Sequence, residues 1–245
     1  HFLTQKGIKF FPMVHWVERG MFTRGNSLPR FHLVWGTGYE LSERLKHHLL
    51  NHPRFKTHAT LLFNHKVNHI ETQAGRVTGV SGTDEYGKAP FAVKAHHTII
   101  ATGGLGGDID QVKKNWNSDW DTPPKRILNG AHTFADGTLH YAVEKINGNL
   151  THLDQTWPYA AGVHHPRPQR ENDGISLVPP RSALWLNYRG ERIGPTPLIT
   201  AFDTRFLVSE ICKQDKKFSW QVMNMKILTK ELAISGAEWN AAFRN

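Results

Sequence analysis

The stretch TIIATGGLGG, residues 98–107, places four glycines within five residues directly after a short apolar run. The apolar part, TIIA, is typical of a strand that is buried on both faces in a parallel sheet. A glycine turn after such a strand lets the backbone approach a phosphate, but many strands also run into ordinary glycine turns. The stretch therefore indicates either a nucleotide site or a plain turn.

The spacing of the glycines argues against a phosphate cradle. A dinucleotide fingerprint reads G-x-G-x-x-G, with one glycine for the turn, one for the pyrophosphate and one for helix packing. Starting from Gly104 and Gly106 the third position is Ile109, and starting from Gly36 and Gly38 it is Leu41. No other window fits better, so this sequence contains no phosphate-binding βαβ unit.

Upstream of the glycines the sequence predicts a helix and a β-meander. Thr37 stands three residues before Glu40, as in a capping box, and leucines then recur every fourth residue from Leu41 to Leu49, until Asn51 ends the helix. The runs ATLLFNHKVNHIE, RVTGVSG and FAVKA favour strands and are separated by turn-like segments. They predict three antiparallel strands.

Downstream, Asp136 heads a helical stripe that ends at Gly148, and as a helix N-cap it would contribute about 1 kcal/mol. Beyond residue 150 the chain becomes rich in proline, histidine and aromatic residues, which indicates a domain boundary near that point. A strand and turn in SALWLNYRGERIG and helices in TAFDTRFLVSEICKQ and KILTKELAISG complete the prediction.

Composition bounds the class of protein. The 245 residues are 39% hydrophobic and 21% charged, enough for a substantial core, and no apolar run is long enough to span a membrane. The single cysteine, Cys212, suits the cytoplasm, although a periplasmic protein without disulfides has the same pattern. The net charge is +9, yet the basic residues are dispersed rather than clustered, which argues against a nucleic-acid partner.

The order of these segments resembles the fumarate reductase and succinate dehydrogenase flavoprotein superfamily, which includes the 3-ketosteroid dehydrogenases. The matching segments are GTGYELSERLKHHL, GRVTGVSGTDEYGK, TIIATGG, ADGTLHYAVEKINGNLTHLD and LWLNYRGERI. KFFPMVHWVERG, GNSLPRFHLVWGTG, TPPK and KELAISGAEWN are similar to segments of bacterial FAD-binding dehydrogenases. The resemblance covers essentially the whole chain.

The resemblance implies an α/β fold with α+β character. Residues 30–150 would be the distal part of a two-dinucleotide-binding FAD domain with a three-stranded β-meander, after an N-terminal segment 1–29. Residues 151–245 would be most of an α+β cap domain that closes over the flavin. Such proteins begin with G-x-G-x-x-G and end with a flavin-wrapping segment; neither is in this sequence. The expectation is therefore an internal portion of a longer flavoenzyme, inactive by itself.

The resemblance also assigns residues to the cofactor FAD. The adenine side would be contacted by the valine of the first meander strand, and the backbone of ATGG and the acid of the ADG segment would approach the cofactor. These residues are Val67, Ala101, Thr102, Gly103, Gly104 and Asp136. An ordinary helix cap is the competing interpretation of Asp136, and both roles are compatible.

The reaction implied is hydride transfer between flavin N5 and a substrate CH-CH group, with a proton moved at the adjacent carbon. Fumarate reductases use a histidine followed by proline, whereas this sequence has Trp157 and Pro158 there, which argues against fumarate reduction. Tyr159 is the leading proton-transfer or polarising candidate, against a structural tyrosine with a bonded hydroxyl. The remaining candidates are His164 and His165 for proton transfer, and Arg181 and Arg205 for a substrate carboxylate, against solvated arginines.

Other functions have weaker support. Sixteen histidines suggest a metal, but several occur as adjacent pairs, and neither H-E-x-x-H nor C-x-x-C is present, so no metal site is expected. The alternative to an enzyme is a non-catalytic binding module that keeps part of the flavoprotein fold without FAD. The partner expected is a small molecule, with steroid, dicarboxylate and other enone-type substrates all open, as is the oligomeric state.

Overall fold

The three strands upstream of the glycine stretch form one antiparallel sheet. The structure is a computed structural model and describes residues 2–12, 32–178, 180, 182–193 and 204–234. The sheet consists of β3 (His65–Gln73), β4 (Arg76–Asp84) and β5 (Pro90–Lys94), with β4 in the middle. The predicted meander is thus confirmed.

In the described part of the chain the other strands are β1 (Phe10–Pro12), β2 (His32–Val34), β6 (Gly162–His164), β7 (Gly174–Val178), β8 (Leu184–Leu186), β9 (Trp220–Val222) and β10 (Ala233–Ile234). They pair antiparallel as β1-β2, β10-β7-β6 and β8-β9. The helices are α1 (Phe2–Gln5), α2 (Thr37–Leu50), α3 (Phe55–His58), α4 (Ile109–Lys114), α5 (Thr138–Lys145), α6 (Thr204–Cys212) and α7 (Met225–Glu231), with a 3-10 turn at Ser118–Trp120. The chain is therefore of mixed α/β class.

The first predicted strand begins later than its apolar pattern suggests. Leu61, Leu62 and Phe63 lie outside β3 and are exposed. His65 pairs with Asp84, the last residue of β4, so the residues before it have no opposite strand in this sheet. Asn64 also has a φ of 58°, which breaks the extended backbone just before the strand.

The expectation of a buried parallel strand at TIIA is wrong in this structure. Residues 98–101 belong to none of the described strands, and Ile99 is 91% exposed. A strand of that type needs hydrogen-bonded neighbours and a packed layer on each face. Among the described residues nothing supplies that environment, because the sheet next to it ends with β5. Its apolar composition alone does not create a strand.

Helix α2 is where the leucine spacing predicts it, but the capping box is not formed. Gly36 is the N-cap, and Thr37 itself has a φ of 65°, so its side chain makes no capping hydrogen bond. Glu40 instead pairs with Arg44 one turn later. At the other end the Asn51 side chain donates to the His47 carbonyl oxygen at 2.8 Å, which confirms the predicted stop.

The helix predicted up to Gly236 ends earlier. After α7 the chain turns extended, and β10 pairs Ala233 with Val178 and Ile234 with Leu177. Helix α4, which the periodicity did not predict, begins after Asp108, whose carboxylate accepts the Asp110 and Gln111 N–H groups. Its one sequence signal is this N-cap aspartate, because six residues are too few to show a periodic stripe.

The chain folds as two compact units. Unit 1 contains His1–His58, Ser118–Leu128 and Trp157–Asn245, and unit 2 contains Ala59–Asn117 and Asn129–Thr156. The core of unit 1 is formed by Trp185, Ile193, Leu207 and Ile211, from β8, the turn after it and α6. In unit 2, α5 packs on β3. The domain boundaries expected after residues 29 and 150 stay predictions.

Candidate functional site

Unit 2 brings the predicted cofactor segments together. The glycine loop approaches the start of α5, since a Cβ on Gly103 would lie 3.7 Å from the Ala135 Cβ. Asp136 follows Ala135 directly, and its carboxylate is within electrostatic reach of Lys66. Lys66 precedes Val67 in β3. Three segments that are distant in sequence, namely β3, the glycine loop and the start of α5, thus lie close together in unit 2.

Asp136 is not the N-cap of its helix, contrary to the simple capping interpretation. Gly137 occupies that position with a φ of 78° and no side-chain cap. The Asp136 carboxylate nevertheless accepts the Thr138 N–H at 2.9 Å. Partial burial raises the pKa of Asp136, but hydrogen bonds from the Thr138 side chain and backbone, together with Lys66, outweigh it, so the pKa lies below its ordinary value. The group is a carboxylate at neutral pH.

The glycine loop leaves its backbone open. Ala101, Thr102, Gly103 and Gly104 are exposed, and a Cβ on Gly104 would meet nothing within 4 Å. Gly103 has a φ of 76°, in the left-handed region that glycine adopts without strain. Because these glycines have no side chains, a ligand can come close to the peptide groups of this loop.

This arrangement fits the chemistry of FAD. Exposed peptide groups can form hydrogen bonds with polar atoms of the cofactor, and an ionised carboxylate can accept hydrogen bonds from its sugar or ribityl hydroxyl groups. The residues that would hold FAD here are the backbone of 101–104, Asp136 and the Val67 strand. Lys66 was not predicted from the sequence, because a single lysine in a strand has no distinguishing pattern until the fold brings it within electrostatic reach of a carboxylate.

Tyr159 lies in unit 1, three residues before β6. Its side chain is half-buried, and this burial raises the pKa of its phenol above the ordinary value of 10. In the described part of the chain its hydroxyl has no hydrogen-bond partner. The tyrosine is therefore protonated at neutral pH.

The two histidines differ in their surroundings. Arg126 Nη2 lies 3.3 Å from His164 Nε2. A guanidinium has only donors, so in this contact Nε2 is the acceptor, and a neutral His164 carries its proton on Nδ1. The His165 ring makes a local hydrogen bond, in which Nδ1 accepts the Arg167 N–H at 3.1 Å. Sequence analysis did not single out Arg126, which reaches His164 from 38 residues away.

Arg205 contacts an aromatic ring. Its guanidinium carbon lies 4.9 Å from the centroid of Trp120, a side chain that is only 3% exposed. This cation-π contact ties α6 to the 3-10 turn at Ser118–Trp120. Arg181 lies outside the described residues.

None of the helices in the described residues is both long and apolar enough to cross a membrane. Those residues also contain no group of three or more histidine, cysteine, aspartate or glutamate side chains that could hold a metal ion.

The class of protein is defined by similarity to a known family. The family described as FAD binding domain matches residues 1–242. The chain belongs to this family, and FAD is its cofactor.

Particular relatives narrow the class further. The chain is 35% identical to a KsdD-like steroid dehydrogenase of Mycobacterium tuberculosis and 33% identical to one of Mycolicibacterium smegmatis, each over 97% of its length. A urocanate reductase of Eggerthella lenta is 29% identical over 36% of the chain. The resemblance to ketosteroid dehydrogenase-like flavoproteins is confirmed.

The matched regions cover less than half of these relatives. They span 44% of the M. tuberculosis protein, 46% of the M. smegmatis protein and 14% of the urocanate reductase.

Proposed function

We propose that this chain is a portion of an FAD-dependent oxidoreductase that transfers a hydride between flavin N5 and a CH-CH group of a small-molecule substrate. The observation that carries the proposal is the convergence of the Gly103 loop, Asp136 and the β3 residues Lys66 and Val67 in a chain of the FAD-binding family. Bound FAD supplies the hydride chemistry, which no protein side chain provides.

The finer architecture belongs to the same proposal. Residues 30–150 would be the distal part of a two-dinucleotide-binding FAD domain, and residues 151–245 most of a cap domain. The order of helix α2, the β3-β4-β5 meander and the glycine loop supports this assignment. The reduced, buried Cys212 is consistent with a cytoplasmic location, which is proposed on that basis.

On the substrate side, Tyr159 is proposed to donate a hydrogen bond or a proton to a substrate carbonyl. Its raised pKa keeps the hydroxyl protonated at neutral pH, which suits a donor rather than a base. His164, with its Nε2 next to Arg126, is the second candidate, and His165 follows. Arg205 is the weaker arginine candidate because its guanidinium already lies over Trp120; Arg181 stays a sequence-based candidate.

The substrate is proposed to be a steroid-like ketone. Relatives named steroid dehydrogenases match 97% of the chain, whereas the urocanate reductase matches 36%. The absence of the histidine-proline pair at Trp157 and Pro158 also argues against fumarate. An apolar ketone needs a polarising donor at its oxygen, which is the role assigned to Tyr159.

The substitution Tyr159→Phe in the full-length enzyme tests this role. The rate of flavin reduction by a 3-ketosteroid should fall by at least about tenfold, since proton-transfer groups contribute about 10² or more. Any alkaline limb due to Tyr159 should lie above about pH 10 and disappear in the variant.

Tyr188→Phe is the matched control, because the Tyr188 hydroxyl bonds to Asp215 on an exposed part of unit 1. It should leave the rate within about twofold. An unchanged rate in Tyr159→Phe would remove Tyr159 from the mechanism. Absence of flavin from the purified full-length protein would contradict the proposed function as a whole.

A further inference from the structure

Asn129 is a buried amide that joins two loops of unit 2. Its side chain is 4% exposed, and both ends of the amide are bonded. Nδ2 donates to the Gly107 carbonyl oxygen at 3.0 Å, and Oδ1 accepts the Ala131 N–H at 2.9 Å. The residue thus links the glycine stretch to the segment that leads to α5.

The two loops are closely fitted where Asn129 joins them. The Gly107 N–H donates to the Ala135 carbonyl oxygen at 2.7 Å. A Cβ on Gly107 would lie 2.3 Å from the His132 carbonyl oxygen, so the approach requires glycine. Asn129 and Gly107 therefore fix the position of Ala135, the residue directly before Asp136.

Asp136 and Gly103 are the two groups whose placement depends on this contact. Asp136 follows Ala135 in the chain, and Gly103 faces the Ala135 Cβ. If the loops separated, the carboxylate and the open glycine backbone would no longer be held side by side. A ligand that contacts both would then have to order them on binding, which weakens its affinity.

We propose that Asn129 is a positioning residue of the cofactor site: it clamps the Leu105–Gly107 turn to the 131–135 segment and so pre-organises Gly103 and Asp136 for FAD. This inference rests on the proposed function, because it takes FAD as the ligand of those groups. Asn129 touches neither the reacting atoms nor, by this assignment, the cofactor.

A second buried asparagine in the same unit provides the control. Asn117 is also 4% exposed, and its Nδ2 donates to Asp154 at 3.1 Å. Neither Asn117 nor Asp154 belongs to the segments assigned to FAD. Removing either asparagine side chain deletes a buried amide, so both variants should lose stability. Only the Asn129 variant should affect the cofactor site.

The test uses the full-length protein with the substitutions Asn129→Ala, Asn129→Asp and Asn117→Ala. FAD affinity is measured by fluorescence titration of the apoprotein, and exchange of the Gly107 amide is measured without FAD. Asn129→Asp keeps the acceptor for Ala131 but cannot donate to Gly107, so it tests the clamp if the alanine variant fails to fold.

In both Asn129 variants the Kd for FAD should rise at least about tenfold and the Gly107 amide should exchange at least about tenfold faster, while Asn117→Ala stays within about twofold in both measurements. An unchanged Kd in a folded Asn129 variant would overturn the proposal, as would an equal rise in Asn117→Ala. If the unaltered protein bound no FAD, both the proposed function and this inference would fail. If Gly107 amide exchange were unchanged in the Asn129 variants, the clamp would be refuted while the proposed function would stand.

Discussion

The carboxylate of Asp136 combines a structural and a candidate cofactor role at one residue. It accepts the N–H of Thr138 in the first turn of α5 and interacts electrostatically with Lys66. The preceding residue, Ala135, faces the open glycine loop. Its lowered pKa means that the folded state prefers the ionised form. Folding stability therefore depends on pH through this group.

The substitution Asp136→Asn should lower Tm by about 2 °C at pH 7, because it removes the charge that favours Lys66 and the helix start. The folded-state pKa is below the unfolded value of about 3.9, so the stabilisation is fully present above that pH. The stabilisation is lost as the pH falls below about 3.9 and through the folded-state pKa.

Thermal melts of the unaltered protein and of the Asp136→Asn variant between pH 7 and pH 2.5 would check this expectation. The difference in Tm should close at the acidic end. A difference that persists unchanged across the range would show that the charge of Asp136 is not responsible for it.

At the scale of elements, helices α2 and α6 are both amphipathic but differ in how completely their apolar side chains are buried. In α6, Leu207 is fully buried against Trp185, Ile193 and Ile211. In α2, Leu45 lies in the regular series from Leu41 to Leu49 and is nevertheless 39% exposed. Periodicity thus predicts that a helix forms and which face is apolar, but not how completely that face is covered.

Leu207→Ala should reduce the free energy of unfolding of unit 1 by about 2–5 kcal/mol, because it removes buried methyl groups and leaves a cavity. Leu45→Ala is the matched control and should cost less than about 1 kcal/mol in the 245-residue chain. Urea unfolding followed by tryptophan fluorescence measures both. Equal losses in the two variants would contradict the burial of Leu207 as the cause.

At the scale of the whole molecule, the residues proposed to contact FAD form one part of what tight binding of a dinucleotide requires. The chain provides the glycine loop, Asp136 and the β3 strand, but its sequence contains no G-x-G-x-x-G. It spans 44–46% of the steroid dehydrogenase relatives. Its activity toward a substrate is therefore proposed for the full-length protein.

We expect the 245-residue chain alone to bind FAD with a Kd weaker than about 1 μM, because no helix start with the dinucleotide fingerprint holds the pyrophosphate. Flavin fluorescence titration of the purified chain would measure this, with the full-length protein as the tight-binding control. Micromolar or tighter binding by the chain would contradict the expectation.

The local elements could be predicted from the sequence alone. Helix α2, the β-meander and the turn in SALWLNYRGERIG follow from periodicity and turn residues, which act within about ten residues of chain. FAD binding was expected because the ordered segments resemble those of a flavoprotein family. The site residues were predicted only through the resemblance, and their roles stay predictions.

Features that depend on distant partners became known from the tertiary structure. It left Ile99 exposed, moved the N-cap from Asp136 to Gly137, and placed Lys66 near Asp136 and Asn129 against Gly107. Burial, strand pairing and charge contacts are set by segments tens of residues apart. No local pattern in a single sequence encodes them, because the same lysine or asparagine has no distinguishing neighbours until the chain folds.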